Sequence, residues 1–204
     1  MKNTLFVLIL LSTINGYSQD FKVKSGVNIP DFENKHIYEE RAVDVLGSNT
    51  IGFYIGVNYE YSLNENFSLD ADLLYSSLSN TGNSNFPGKS KFQSIQVPLT
   101  FNYCVFDKLK LGLGTSLNYH IKSEHVYKSE IDHTLPHNDF LNQKFEFYDN
   151  TSYSLHIGTS YNIWNDFFID VRYNFGLGNI YDSETESVAK SKYNNLQLGL
   201  SYKF

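Results

Sequence analysis

Cysteine, methionine and tryptophan each occur once in the 204 residues, and proline only four times. With Cys104 alone there is no intrachain disulfide framework and no thiolate metal cage. A thiol nucleophile would also need a base nearby, and Cys104 has no obvious one in the chain around it. Clusters of basic residues are missing too. The 16 Lys and Arg are outnumbered by 22 Asp and Glu, giving a net charge of -6, which argues against a nucleic-acid partner. Beyond Leu11 no apolar run is long enough for a membrane helix, and no long segment keeps a 3.6-residue period.

What the chain does have begins at its N-terminus. Lys2 precedes the apolar run Leu5 to Leu11, and the small residues Gly16 and Ser18 follow. This is the layout of a secretory signal peptide, so residues 1–18 are expected to be removed and the mature domain to span 19–204, starting at Gln19. No Cys follows the apolar run, which disfavours a lipoprotein anchor.

After the signal, strict alternation dominates. Apolar residues recur every second position over Phe21–Val27, Ile51–Tyr61, Phe67–Tyr75, Ile95–Tyr103, Leu109–Ile121, Tyr153–Ile163, Ile169–Leu177 and Leu196–Phe204. Period two means strands, eight of them. No Asp, Glu, Lys or Arg falls on these apolar rows, whereas the opposite rows carry Glu60, Asp70, Asp72, Lys110, His156, Asp170, Arg172 and Lys203. A soluble sandwich also alternates, because one face of each sheet is wet.

The connections separate the two readings. Short links (near 62–66, 104–108 and 164–166) strictly alternate with long ones at about 30–50, 78–91, 122–149 and 182–192. Outer-membrane barrels have this layout, with short periplasmic turns and longer external loops. Several strands reach the 9–11 residues that a tilted membrane strand needs. Tyr59, Tyr61, Phe67, Tyr103, Tyr161, Phe167 and Tyr202 gather at the short-turn end, and Tyr75, Tyr119, Tyr153 and Tyr181 nearer the long loops. Two such belts suit the two membrane interfaces. The expected fold is all-β, an eight-stranded antiparallel up-and-down transmembrane barrel.

That orientation sends the apolar rows to lipid and encloses the charges. Ile169, Val171, Tyr173 and Phe175 face out, while Asp170, Arg172 and Asn174 face the lumen. Enclosed charges cost several kcal/mol unless paired or hydrated. Arg172 should therefore pair with one of Glu60, Asp70, Asp72 or Asp170, in a polar network joined by Lys110 and Lys203 that plugs the lumen.

The segments "VKSGVNI" (Val23–Ile29), "GFYIGVNYEYSLNENFSLDADLLYS" (Gly52–Ser76), "IQVPLTFNY" (Ile95–Tyr103), "LGLGTSLNY" (Leu111–Tyr119), "YNFGLGNIY" (Tyr173–Tyr181) and "LQLGLSYKF" (Leu196–Phe204) follow one another over nearly the whole mature chain. In this order they resemble the small outer-membrane β-barrel proteins of Bacteroidota, the group that includes the PorT-like proteins. The resemblance implies a Gram-negative outer membrane, outer-membrane lipid around the barrel, and a C-terminal signal, here Tyr202 and Phe204, read by the barrel-insertion machinery. It implies no cofactor. Some PorT-like members serve a protein secretion system, which makes a secretion accessory one alternative role. Pro98 stands where the family usually has a proline, and its missing N–H would call for a local bulge or a water.

Other chemistry is thinly represented. "LGLGTS" (Leu111–Ser116) lacks the third glycine and the following helix of a phosphate loop. His125, His133 and His137 sit among acids in one long link, at no known metal-ligand spacing. A lipid-modifying enzyme could be sought in Ser116, His120 and Glu124, but Ser and His four positions apart on a strand lie about 13 Å apart. A lipocalin-like soluble carrier would want an apolar interior. With no catalytic or metal-binding residues to assign, binding of an unknown extracellular or periplasmic protein partner falls to the external loops, such as 31–49 with Glu39, Glu40 and Arg41.

Overall fold

In the computed structural model the strands pair in sequence order and close on themselves. They are β1 (Gln19–His36), β2 (Ile51–Ser62), β3 (Phe67–Thr81), β4 (Gly88–Phe106), β5 (Leu109–Tyr127), β6 (Thr151–Trp164), β7 (Phe167–Gly176) and β8 (Ala189–Lys203). All neighbours are antiparallel, and β1 meets β8 from Lys22↔Lys203 to His36↔Ala189. The structure describes residues 19–36, 51–81, 88–127, 150–178 and 189–204. The signal segment and most of the expected long links lie outside them.

Strand parity decides what faces what. On the outer surface Leu113 is 66 % exposed and its register partner Ile157 55 %. Asn58 and His156, on the inner rows, are fully covered. Apolar side chains standing outward on every strand, around a polar interior, invert the arrangement of a soluble protein. Closure removes the open edges that hydrocarbon would leave without hydrogen-bond partners.

The tight turns join β2 to β3, β4 to β5 and β6 to β7 at one end. In the first, Asn64 Oδ1 accepts from the backbone N–H groups of Asn66 and Phe67, both at 2.9 Å. In the third, Asn165 has φ 44°, a left-handed conformation that Asn tolerates better than most residues. Above this end, aromatic rings meet directly across the ladder. Phe21 lies on Tyr59 at 5.2 Å, Phe67 on Tyr103 at 5.1 Å and Phe167 on Tyr202 at 4.9 Å between centroids. Trp164, expected in a turn, is the last residue of β6.

The strands outrun their apolar rows. β1 continues to His36, β4 begins at Gly88 and β5 ends at Tyr127. Polar residues keep the backbone ladder going past the hydrocarbon band, so much of what reads as loop in the sequence is strand. At Pro98 no bulge forms. The β4–β5 register shifts occur at Gln93/Ser94 and Cys104/Phe106. The β3–β4 ladder runs to Ala71↔Leu99 and resumes at Leu74↔Gln96 in the same register, so the missing donor interrupts the ladder without displacing it.

Candidate functional site

Alternation turns every second residue of each strand inward, and closure of the ring decides which of them meet. Near the short-turn end, Glu60 of β2 takes Lys22 of β1 at 2.6 Å and also Lys110 of β5. One level up, Asp72 of β3 binds Lys24 at 3.1 Å and Arg172 of β7, and accepts from Asn58 Nδ2 at 2.6 Å. At the rim Lys203 meets Asp20 at 2.7 Å. Of the four acids open to Arg172, the partner is Asp72.

Two contacts join opposite walls of the lumen. β3 and β7 are four strands apart in a ring of eight, so Arg172–Asp72 joins opposite walls. Gln197 of β8 likewise donates to Gln96 Oε1 of β4 at 2.9 Å. Glycines make room for such reach. Tyr54 of β2 lies across Gly26 of β1 and Gly199 of β8, where an added Cβ would collide with its ring or hydroxyl. Gly114 similarly accommodates the His156 ring.

The other residues expected in the lumen are also placed. Asp70 and Asp170 face inward and line a common cavity but form no ion pair within 4.0 Å among the described residues. Ring nitrogens of His156 contact Thr100 Oγ1 at 2.8 Å and Ser116 Oγ at 3.0 Å. Ser116 thus meets a histidine on the neighbouring strand, while His120 contacts Ser152 Oγ at 2.9 Å. A nucleophile–base arrangement needs a carboxylate to orient the imidazole and a route for substrate. His156 instead has a hydroxyl on each ring nitrogen and no exposed surface. Among the described residues no group of three or more His, Cys, Asp or Glu could hold a metal ion. His133, His137 and the side chains of Glu124 and His125 lie outside what is described.

Lys22, Lys24 and Asn58 are legible in the sequence as inward-facing, yet their part in the network is not. Their neighbours follow from the β1–β2 register, which pairs Lys22 with Asn58 and Lys24 with Gly56. Phe168, Leu74 and Leu78 escape sequence reasoning altogether as inward apolar groups, although their even numbers among the charged rows are the available signal. Phe168 carries Lys22 Nζ at 4.5 Å over its ring.

Known proteins share this architecture. Ail, the attachment invasion locus protein of Yersinia pestis, superposes with a TM-score of 0.54 at 15% identity, over 92% of this chain and 100% of that one. Neisserial surface protein A gives the same TM-score, identity and coverages. A second structure of Ail, bound to the heparin analogue sucrose octasulfate, gives 0.53 at 16% identity, again over 92% of this chain and 100% of that one. At such identities the likeness is one of fold. No curated protein matches the sequence. A family described as outer membrane protein beta-barrel domain matches residues 17–182. The chain belongs to that family, and its place is the outer membrane.

Proposed function

We propose that the protein is a non-enzymatic outer-membrane barrel whose lumen is plugged by its polar network, and that it acts as a structural element or through partner contacts made by its external loops. The observation that carries this reading is the pair of cross-lumen contacts, Arg172–Asp72 and Gln197–Gln96. They occupy the axis along which a channel would have to run. Glu60, Asp70, Asp72, Lys110, His156, Asp170, Arg172 and Lys203 belong to this plug in a supporting role, with no part in chemistry. A barrel of eight strands has an interior that side chains alone can fill.

On the same reading, residues 1–18 direct export and are cut near Ser18/Gln19. Tyr202 and Phe204 are the features the barrel-insertion machinery recognises. The ordered segments from Val23–Ile29 to Leu196–Phe204 favour kinship with the PorT-like proteins of Bacteroidota, and a secretion accessory role is one form that partner binding would take. The polar interior speaks against a lipocalin-like carrier, and the setting of His156 against a lipid-modifying hydrolase. The polyanion bound by Ail is not carried over, because this chain has a net charge of -6.

Conductance across a planar bilayer tests the plug. The purified barrel should insert without steady ion current, and a persistent open channel would overturn the reading. Crosslinking in intact cells tests the loops: a partner captured by the full-length protein should be lost when residues 37–49, which follow the end of β1, are replaced by a short turn. Capture that is indifferent to every external link would sink the partner-binding half.

A further inference from the structure

The cations inside the barrel are unevenly shared. Glu60 has two lysines and Asp72 has a lysine and an arginine, while Asp70 and Asp170 have none within ion-pair distance among the described residues. Among the described residues, Asp70 Oδ1, Asp170 Oδ2, Asn102 Nδ2 and Ser160 Oγ are covered and have no hydrogen-bond partner. Asp70 and Asn102 are more than nine-tenths buried, at 8 % and 7 % exposed. These four residues sit on four different strands, and all of them line one cavity of about 40 Å³.

Four orphaned groups converging on one space call for a ligand with both donors and acceptors. The carboxylate oxygens only accept, the amide Nδ2 donates and the hydroxyl does either. A buried water needs about 10–15 Å³ of such volume and two to four polar partners, so the cavity has room for more than one. A cation fits less well. Lys24 and Arg172 share the lining, and the two unpaired carboxylates already balance the excess positive charge on the Glu60 and Asp72 clusters. We propose that this chamber is an internal hydration site, a cluster of ordered waters joining Asp70 to Asp170. On this proposal the Glu60 ion pairs with Lys22 and Lys110 form its partition toward the short turns, where a second recess is lined by Glu60, Ser68 and Lys110. The proposal rests on the plugged-lumen reading and deepens it, since the plug is then wet at its centre.

Water–protein cross-relaxation NMR on the barrel refolded in nanodiscs tests this. Long-lived water contacts are expected at the backbone protons of Gly112 and Gly158, both on the chamber wall. Gly158→Leu should abolish them, because a Cβ there needs only a small adjustment, meeting Val171 O at 3.0 Å and Arg172 carbons at 3.6 Å. Should that variant fail to fold, Ser160→Val places its bulk in the same chamber and should also remove the signals. Glu60→Gln, which loosens the partition, should shorten the water residence time, and Asn28→Ala at the far end should not. Absence of long-lived water in the wild type, its persistence in the filled variants, or indifference to Glu60→Gln overturns the proposal. So does loss of the signals when choline replaces sodium, which would assign the chamber to a cation. Ion conductance is a separate readout, so a dry but plugged barrel is distinguishable from an open one.

Discussion

The two halves of the lumen are built from different chemistry. Toward the short turns lie five cations and five carboxylates: Lys22, Lys24, Lys110, Arg172 and Lys203 with Asp20, Glu60, Asp70, Asp72 and Asp170. Toward the outer end the described inward side chains are mostly amides and hydroxyls, with Leu74, Leu78 and the His120 imidazole among them. Asn28 donates to Ser76 Oγ at 2.9 Å, and Asn195 donates to Asn28 Oδ1 at 2.6 Å. Both halves hold strands together through polar contacts, but the consequence of error differs. A neutral amide that loses a partner forfeits one hydrogen bond, whereas an ion that loses its partner becomes an uncompensated charge in a confined space.

The sharpest way to break this comparison is Asp72→Ala. It strands Lys24 and Arg172 together and should cost about 3–5 kcal/mol, read as a lowered urea midpoint in lipid vesicles. An effect no larger than that of an outer-half amide would show that the charges are already hydrated. Next comes the outer wall, which serves as a reference for both halves. Leu113→Arg should cost about 2–4 kcal/mol near midplane, while Tyr153→Arg at the outer interface should cost about 0–1 kcal/mol in the same assay. Equal costs would mean that the apolar band has been misplaced along the barrel axis.

Within the outer half, Asn28→Ala removes an amide bonded to both Ser76 and Asn195 and should cost about 1–3 kcal/mol. The smallest effect is expected when Gln96 and Gln197 are both replaced by Leu. Removing both partners leaves no orphan, so folding stability should change little, while either single substitution should be more costly than the pair. A thermodynamic cycle over the four proteins measures this directly.

Much of the wall is readable in the sequence because side-chain period two is a local property. Each strand declares its own wet and oily faces, so a short segment sets Ile169, Val171 and Phe175 on one side and Asp170 and Arg172 on the other, and the alternation of short and long links then says which side is outward. The pairing inside is not readable, because the separation between Arg172 and Asp72 depends on the stagger accumulated around the ring. Strand ends are hidden for a related reason. Beyond the hydrocarbon, backbone pairing in β1 and β8 carries on through residues such as Asn34, Lys35 and Ser191, which leave no apolar signature. Pro98 misleads in the other direction, since one absent N–H is met by a gap in one ladder and requires no bulge. The short turns are more transparent, with Asn64 and Asn165 in turn conformations that suit asparagine.

The seam between β1 and β8 sets the order in which the molecule can be made. Lys22 meets Lys203, so the first strand of the barrel must wait for the eighth before its free edge is capped. Until then both of these strands offer unpaired backbone groups to any neighbour, and no chain lacking either of them can complete this cylinder. Contacts this remote in sequence form slowly. A protein so closed at maturity is an unsealed ribbon until that seam forms, in need of protection from others of its kind until the circle is joined.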